Sequence, residues 1–598
     1  MPALLLRGPA GVSLHRYPWD TNCVKRESGD ENIPLGDGSF QKRVLIITVF
    51  TGAVYYAQIL LFWMTWREMD HWCRRPSGFA NMSVAAWKEL AIPRFANGSY
   101  SHCTVRVPPH GGNWARVEPC VEWEFDMDEH GNTAVSQWSV VCERRRLADV
   151  AQGAHMAAMI VAFFVLGPIA DHIGRKTVGV LALAASLITL AATSVATDLQ
   201  TFIVVRSVAA AATAGLFVFK VLLYEITTMT RRLLYTAFGT TLSFVFPHLL
   251  LTIAITLKVS WTVCHSLLAL FALVLLAAFH VLDESPSWLI AAHREDEAKR
   301  VALRVANINQ APISDCQEFF KKRMYRAQHL PDGTTGTIQA SHVKRQDLRL
   351  TYALTVFIWT VLGFTHVHFS ISSPTARNTY VRALIDAGIV PVLLAVWPRL
   401  ENGRRVRNVA ANSALVFSAS SALFFSLYTA NDTALSTVLL VVMRLAFLLV
   451  KFLEFYLTLA AFPTESRCTG SSVGLAFYVI GTATGLVTFL RVLKSREDSA
   501  LAAETMLMAA TAVAIVYVPS ADVFLLTSID SVTPVSLPSK QSPVDSAQPP
   551  CSSAVPVVAE AETKASPADV RLAARKKAKA KQMPEQYAVR ASGLPMNW

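Results

Sequence analysis

The sequence predicts an all-α polytopic membrane protein with about twelve transmembrane helices in two six-helix halves, and three observations carry that prediction. Of 598 residues, 53% are hydrophobic and only 16% charged, with a mean hydropathy of +0.36, whereas a soluble domain is roughly 25% charged. The apolar residues fall into repeated blocks close to the ~20 residues that cross a bilayer as a helix. A charged central segment divides those blocks into two sets of about six.

The elements follow in chain order. Residues 1–42 open with "MPALLL", which is apolar but short, lacks a basic leader and runs into Arg7, Pro9 and His15. It does not read as a secretory signal, so this segment is expected in the cytoplasm. Spans are expected at 43–65, 149–170, 177–197, 200–223, 233–256 and 260–282, then at 352–372, 380–400, 409–429, 435–458, 471–492 and 501–519. Their alternation puts Arg175 with Lys176, Arg231 with Arg232, and Arg404, Arg405 and Arg407 on one side. By the positive-inside tendency that side is cytoplasmic, which also makes both termini cytoplasmic in a multi-pass plasma-membrane protein. Arg491, Lys494 and Arg496 fall outside against the trend, accompanied by Glu497 and Asp498.

The domain plan is a first half over 43–282, a central loop over 283–351, a second half over 352–529 and a tail over 530–598. Within the first half, residues 66–148 form an extracellular loop holding Cys73, Cys103, Cys120 and Cys142. Four cysteines in an oxidising compartment suggest two disulfides, with three connectivities open. The same loop carries glycosylation acceptors at Asn81 ("NMS") and Asn97 ("NGS"), and a third, Asn431 ("NDT"), lies in the outside loop after span nine. The central stretch "DESPSWLIAAHREDEAKRVALRVANIN" has apolar residues at helical spacing and reads as an amphipathic cytoplasmic helix. The tail, rich in Pro, Ser and Ala and then basic in "RLAARKKAKAK", is expected to be disordered and near anionic lipid. The net charge of +12 is dispersed and no aromatic-interleaved basic patch occurs. The partner implied is the lipid bilayer, and no nucleic acid.

Between spans two and three lies "GPIADHIGRKT". Topology alone accounts for bases in this turn. The spacing of Gly167, Asp171, Gly174, Arg175 and Lys176 is more specific: glycines allow close backbone approach and a tight turn, and a carboxylate can meet the next helix's dipole or a distant base. Such a cluster can latch one conformation.

This motif resembles the loop between helices two and three of the major facilitator superfamily. A degenerate echo, "RLENGRRVR", keeps Gly403, Arg404 and Arg405 but has Leu400 at the acidic position. Further stretches resemble the organic cation, anion and zwitterion transporters, the solute carrier family 22: "GDGSFQKRVLII" before helix one, "CVEWEFD" to "AVSQWSVVC" in the outer loop, "DESPSWL" after helix six and "FPTESRCTG" after helix ten. Ala460 stands where the helix-ten ending usually has an acid, so the chain is identified as a divergent member. The resemblance implies two rocking halves around a midplane site, a small organic ion as substrate, and a latch that takes in Glu225.

An ionisable residue inside a span costs roughly 2.5–3.5 kcal/mol on insertion scales and faces protein or a wet cavity. In span ten, Arg444, Lys451 and Glu454 share one narrow arc, which is expected to line an aqueous cavity. The bland alternative is that Arg444 snorkels to the outer interface while Lys451 and Glu454 neutralise each other. Lys220 in span four adds a further base, with Glu225 as a possible packing partner. Span seven places Phe357, Trp359 and Phe364 near His366 and His368; the aromatics are candidates for stacking on substrate. Two histidines without a third ligand are not a metal site, and they are expected to cap the outer end of the helix. By the resemblance, Val479 occupies the helix-eleven position that is often Asp in cation carriers and Arg in anion carriers, and so votes for neither.

No cofactor is implied. No phosphate-binding loop and no hydrolase constellation occurs in the sequence, which argues against an ATP-driven pump and against an enzyme. The function expected is secondary transport of a cation, anion or carnitine-like zwitterion by alternating access. The alternative is a receptor or scaffold that keeps the fold without transport.

Overall fold

Inside a bilayer every backbone N–H and C=O must be satisfied within the chain, and uninterrupted apolar runs do so as helices. The computed structural model describes residues 33–67, 69–96, 98–107, 116–127, 131–329, 336–372, 379–400, 403–428, 433–491 and 497–518. The first six long helices are α1 (Ser39–Thr65), α2 (Arg146–Ile173), α3 (Arg175–Ser194), α4 (Leu199–Ile226), α5 (Met229–Thr256) and α6 (Trp261–Ala278). The second set is α7 (Gly336–Ser372), α8 (Thr379–Ala387 with Ile389–Leu400), α9 (Gly403–Tyr428), α10 (Thr433–Ala461), α11 (Arg467–Arg491) and α12 (Glu497–Tyr517).

Within the first half α1 packs on α5 and α6, α2 on α4, and α3 on α4 and α6; within the second, α7 packs on α11 and α9 on α10 and α12. The halves meet where α2 lies along α11 and α5 along α8 and α10. One large apolar core draws residues from both halves, and a second sits within the first half against the central helices.

Two boundaries differ from the sequence expectation. Helix α7 begins at Gly336 rather than near 352 and runs 37 residues, because "TIQASHVKRQDLRL" holds no Gly or Pro that would stop it at the membrane edge. The central segment forms three helices rather than one: Pro286–Ala291, Glu295–Ile308 and Ile313–His329. Ser285 caps the first by accepting from the Trp288 N–H at 3.2 Å, with Pro286 preorganised at its first position. Glu295, Asp296 and Glu297 face the N-terminal dipole of the second. Asn309, just past that helix, accepts from the Phe40 N–H at 3.1 Å and donates to the Leu35 carbonyl at 2.9 Å and to Gln41 at 2.8 Å. The entry to α1 is thereby tied to the central helices.

The loop between α1 and α2 is a small module. Strands β1 (His71–Cys73) and β4 (Trp123–Phe125) pair antiparallel, as do β2 (Thr104–Val107) and β3 (Arg116–Pro119). The structure pairs Cys73 with Cys120 and Cys103 with Cys142. Buried Trp72, Trp87, Ala91 and Ile92 form its core, and the Trp87 indole donates to the Cys73 carbonyl at 2.9 Å. Asn81 is exposed on it, while Asn97 and Asn431 lie outside the described residues. The tail from 530 also lies outside them.

Candidate functional site

The turn between α2 and α3 is built by Gly174, at φ +112°, a backbone state that a side chain would strain; a Cβ there would also approach the Trp288 ring to 3.1 Å. Gly167 lets α2 touch α11: a Cβ at that position would overlap the Ser472 side chain and fall 2.9 Å from the Cys468 carbonyl. These two contacts deliver Asp171 to the N-terminus of α11. Its carboxylate accepts from the backbone N–H of Cys468 at 3.1 Å and of Thr469 at 2.7 Å, and from the Thr469 hydroxyl at 2.7 Å. A carboxylate on orphan helix N–H groups is a capping arrangement made between halves.

Arg175 is fully buried and central. It pairs with Asp171 at 3.1 Å and with Glu225 at 3.2 Å, and donates to the Thr464 carbonyl at 2.5 Å. Glu225 also holds Arg467 of the second half at 3.0 Å. The backbone N–H groups of Arg175 and Lys176 donate to Glu284, at 3.1 Å and 3.0 Å, and the Lys176 ammonium reaches the Leu282 carbonyl. Burial pushes the Glu284 carboxyl above the ordinary glutamate range, against the pull of the Ser285 and Lys176 N–H groups. The latch therefore joins four chain segments and closes one end of the interface between the halves.

On the other side of the latch lies a cavity of about 430 Å³. Its lining runs from Arg67, Ile255 and Arg382, at helix ends next to the loop module's side, to Gly52, Lys220, Trp359 and Phe455 midway along the helices. Tyr55, Tyr56, Phe244, Tyr478 and Val479 complete the middle of the wall. The Trp359 indole is fixed by donation to the Thr458 hydroxyl at 3.0 Å.

Several expected positions are corrected. Arg444 does not snorkel outward; it is 4% exposed and makes a two-point pair with Asp386 of α8, at 2.7 and 3.1 Å. Lys451 lines the cavity and donates to the Tyr478 hydroxyl at 2.8 Å rather than neutralising Glu454. Glu454 is buried behind the wall, accepting from Thr458 at 3.4 Å. Thus the three ionisable residues of α10 do not share one wet face. Glu225 is taken by the latch arginines and is not the partner of Lys220, since five residues turn a helix through about 140°. Phe357 is 37% exposed on the outer surface of α7, and Phe364 packs along Gly485 of α11; neither is among the described cavity residues. His366 does not cap the helix but lines the cavity, with its Nδ1 2.5 Å from the Tyr478 hydroxyl; the side chain of His368 lies outside what is described. In the second-half echo, α9 begins at Gly403, Leu400 is fully buried in the apolar core, and the Arg404 and Arg405 side chains lie outside what is described.

Sequence reasoning missed Asp386, Arg382 and Arg206, although each is an ionisable residue inside an apolar run and so carried the signal that singled out Arg444. Arg206 is 2% exposed and donates to the Gln58 carbonyl at 2.6 Å.

Residues 144–486 match the family model of the Major Facilitator Superfamily. Among curated proteins, the rat protein "Solute carrier family 22 member 7" is 25% identical over 464 residues, covering 73% of this chain and 84% of its own. The human "Organic cation/carnitine transporter 2" is 21% identical, covering 68% of this chain and 75% of its own. The "Beta-alanine transporter" of Drosophila melanogaster is 24% identical, with coverages of 62% and 67%. Among solved structures, the proton:xylose symporter XylE superposes with a TM-score of 0.53 at 12% identity, covering 80% of this chain and 96% of its own. That likeness concerns the fold alone.

Proposed function

The chain belongs to the major facilitator superfamily, and from that premise we propose that it moves small organic ions across the plasma membrane by alternating access around the central cavity. It is a secondary transporter of small organic solutes and not an enzyme. The observation that carries the mechanism is the contrast along one interface: the halves are locked together at the latch and parted by a cavity beyond it. This is an outward-facing state if the latch face is cytoplasmic and the disulfide module extracellular. Cations, anions and carnitine-like zwitterions are the candidate classes, as the names of the relatives suggest.

In the cycle, Asp171 and Glu225 release their second-half partners, the halves rock, and the cavity opens on the latch face. Gly403, Arg404 and Arg405 are assigned to the matching latch of the second half, and Lys220, Trp359, Lys451 and Val479 to substrate contact. Asn81, Asn97 and Asn431 are assigned as glycan sites; a size shift on deglycosylation that disappears on replacing all three by Gln would support this sidedness.

The test is uptake by cells of labelled organic cations, anions and zwitterions, with surface expression checked. Saturable uptake of one class is expected, and Asp171→Ala should abolish turnover while leaving binding intact. Absence of uptake across the panel with normal surface expression would sink the proposal and leave a receptor or scaffold.

A further inference from the structure

We propose that the transported solute is an organic anion whose acidic group is held jointly by Lys220 of the first half and Lys451 of the second. This rests on the transport reading above and names its substrate class. The described cavity lining includes Arg67, Lys220, Arg382 and Lys451, and no Asp or Glu. Lys220 is 7% exposed, and among the described residues its ammonium faces ring surfaces only, 4.9 Å from the Tyr56 centroid and 5.4 Å from that of Phe455. Lys451 is 6% exposed and flanks the same Tyr56 ring at 5.8 Å, as well as Phe244 at 5.4 Å; its hydrogen bond goes to a neutral phenol, Tyr478.

The nearby acids are committed elsewhere. Asp386 is paired with Arg444 and has His248 at 3.6 Å. Glu225 belongs to the latch arginines. Glu454 follows Lys451 by three residues, yet it is 1% exposed, bonds to Thr458 and makes no ion pair among the described residues. Two ammonium groups beside one tyrosine ring, with no carboxylate in the described lining, are a binding site short of negative charge. Ring faces relieve this only in part, and an unpaired charge in a dry wall is costly.

A bound carboxylate or sulfonate supplies the counter-charge, and the surrounding Tyr55, Tyr56, Trp359 and Phe455 suit a flat apolar body. A cation would meet two like charges. The lysines come from opposite halves, so closing the empty cavity drives them together while closing the loaded one tightens both contacts. Loading thus favours the occluded state.

The decisive experiment uses two permanently charged ligands with the same ring, benzenesulfonate and phenyltrimethylammonium, on the purified full-length protein. Benzenesulfonate should raise the Tm and phenyltrimethylammonium should not. Lys220→Met and Lys451→Met should each weaken benzenesulfonate binding about tenfold or more, the loss expected for one charge-assisted bond. Should a Met variant fail to fold, the wild-type comparison of the two ligands still decides. Equal stabilisation, a preference for the cation, or no response to either ligand overturns the proposal. Flux in proteoliposomes separates the two readings. Selective binding of benzenesulfonate without flux of any solute keeps the anion site and sinks transport; saturable cation flux without anion binding keeps transport and sinks the anion site.

Discussion

The latch and the cavity are both rich in charge along the same interface, and they treat it in opposite ways. At the latch Arg175, Arg467, Asp171 and Glu225 answer one another within the protein, at 3.0–3.2 Å. In the cavity Lys220 and Lys451 have no acid among the described residues. A charge cluster that closes on itself favours one arrangement of the halves and can be broken only by moving them. A cluster left incomplete waits for a partner from outside. Position on the interface therefore decides whether a buried base is a lock or a binding group.

The strongest way to break this contrast is Glu225→Gln, which leaves two arginines in a buried site without their shared acid. Breaking such a pair costs about 3–5 kcal/mol, so a large drop in Tm and in surface expression is expected. A Tm within a degree of wild type would show that the latch charges do not depend on one another. Next comes Arg444→Leu, which strands Asp386 at a cost of about 3 kcal/mol. The double replacement Arg444→Leu with Asp386→Leu should recover most of that loss; simple additivity in the thermal melts would contradict a dedicated pair.

A smaller effect is expected from Asp171→Asn, which keeps the shape but removes a charge and weakens the acceptance from the N–H groups of Cys468 and Thr469. A shift of about 1–2 kcal/mol toward latch opening follows, which corresponds to roughly tenfold faster alkylation of Cys468, now buried and free. Alkylation rates, with the other free cysteines replaced, read this directly; an unchanged rate would argue that Asp171 is dispensable. At the bottom of the scale, Phe357→Leu on the outer face of α7 should alter Tm by less than the equivalent of about 0.5 kcal/mol and leave uptake at its wild-type level. A marked fall in uptake would place Phe357 in the site after all.

What was legible in the sequence follows from the range of the interactions. Apolar block length fixes a span locally, so among the described residues the long helices α1 to α12 lie close to their expected ranges, and α7 departs only where no Gly or Pro stops it. Asp171, Gly174 and Arg175 were legible because they sit within one turn of chain. Their partners Thr469 and Glu284 were not, since only folding brings residues 298 and 109 positions apart together. The pairing of Lys451 with Glu454 looked plausible from helical spacing alone, but Tyr478 and Thr458, from elsewhere on α11 and one turn further along α10, draw the two side chains apart. Lys220 failed as a partner of Glu225 for a reason that was available in advance, the 100° step of the helix.

The Cys103–Cys142 bond ties the disulfide module to the start of α2. Cys142 lies just ahead of α2, a 28-residue helix about 42 Å long at 1.5 Å per residue that carries Asp171 near its far end. Pro168, one turn before the carboxylate, takes one N–H out of the hydrogen-bond ladder of the helix. The module is thus bonded covalently beside one end of a helix whose other end carries the latch carboxylate.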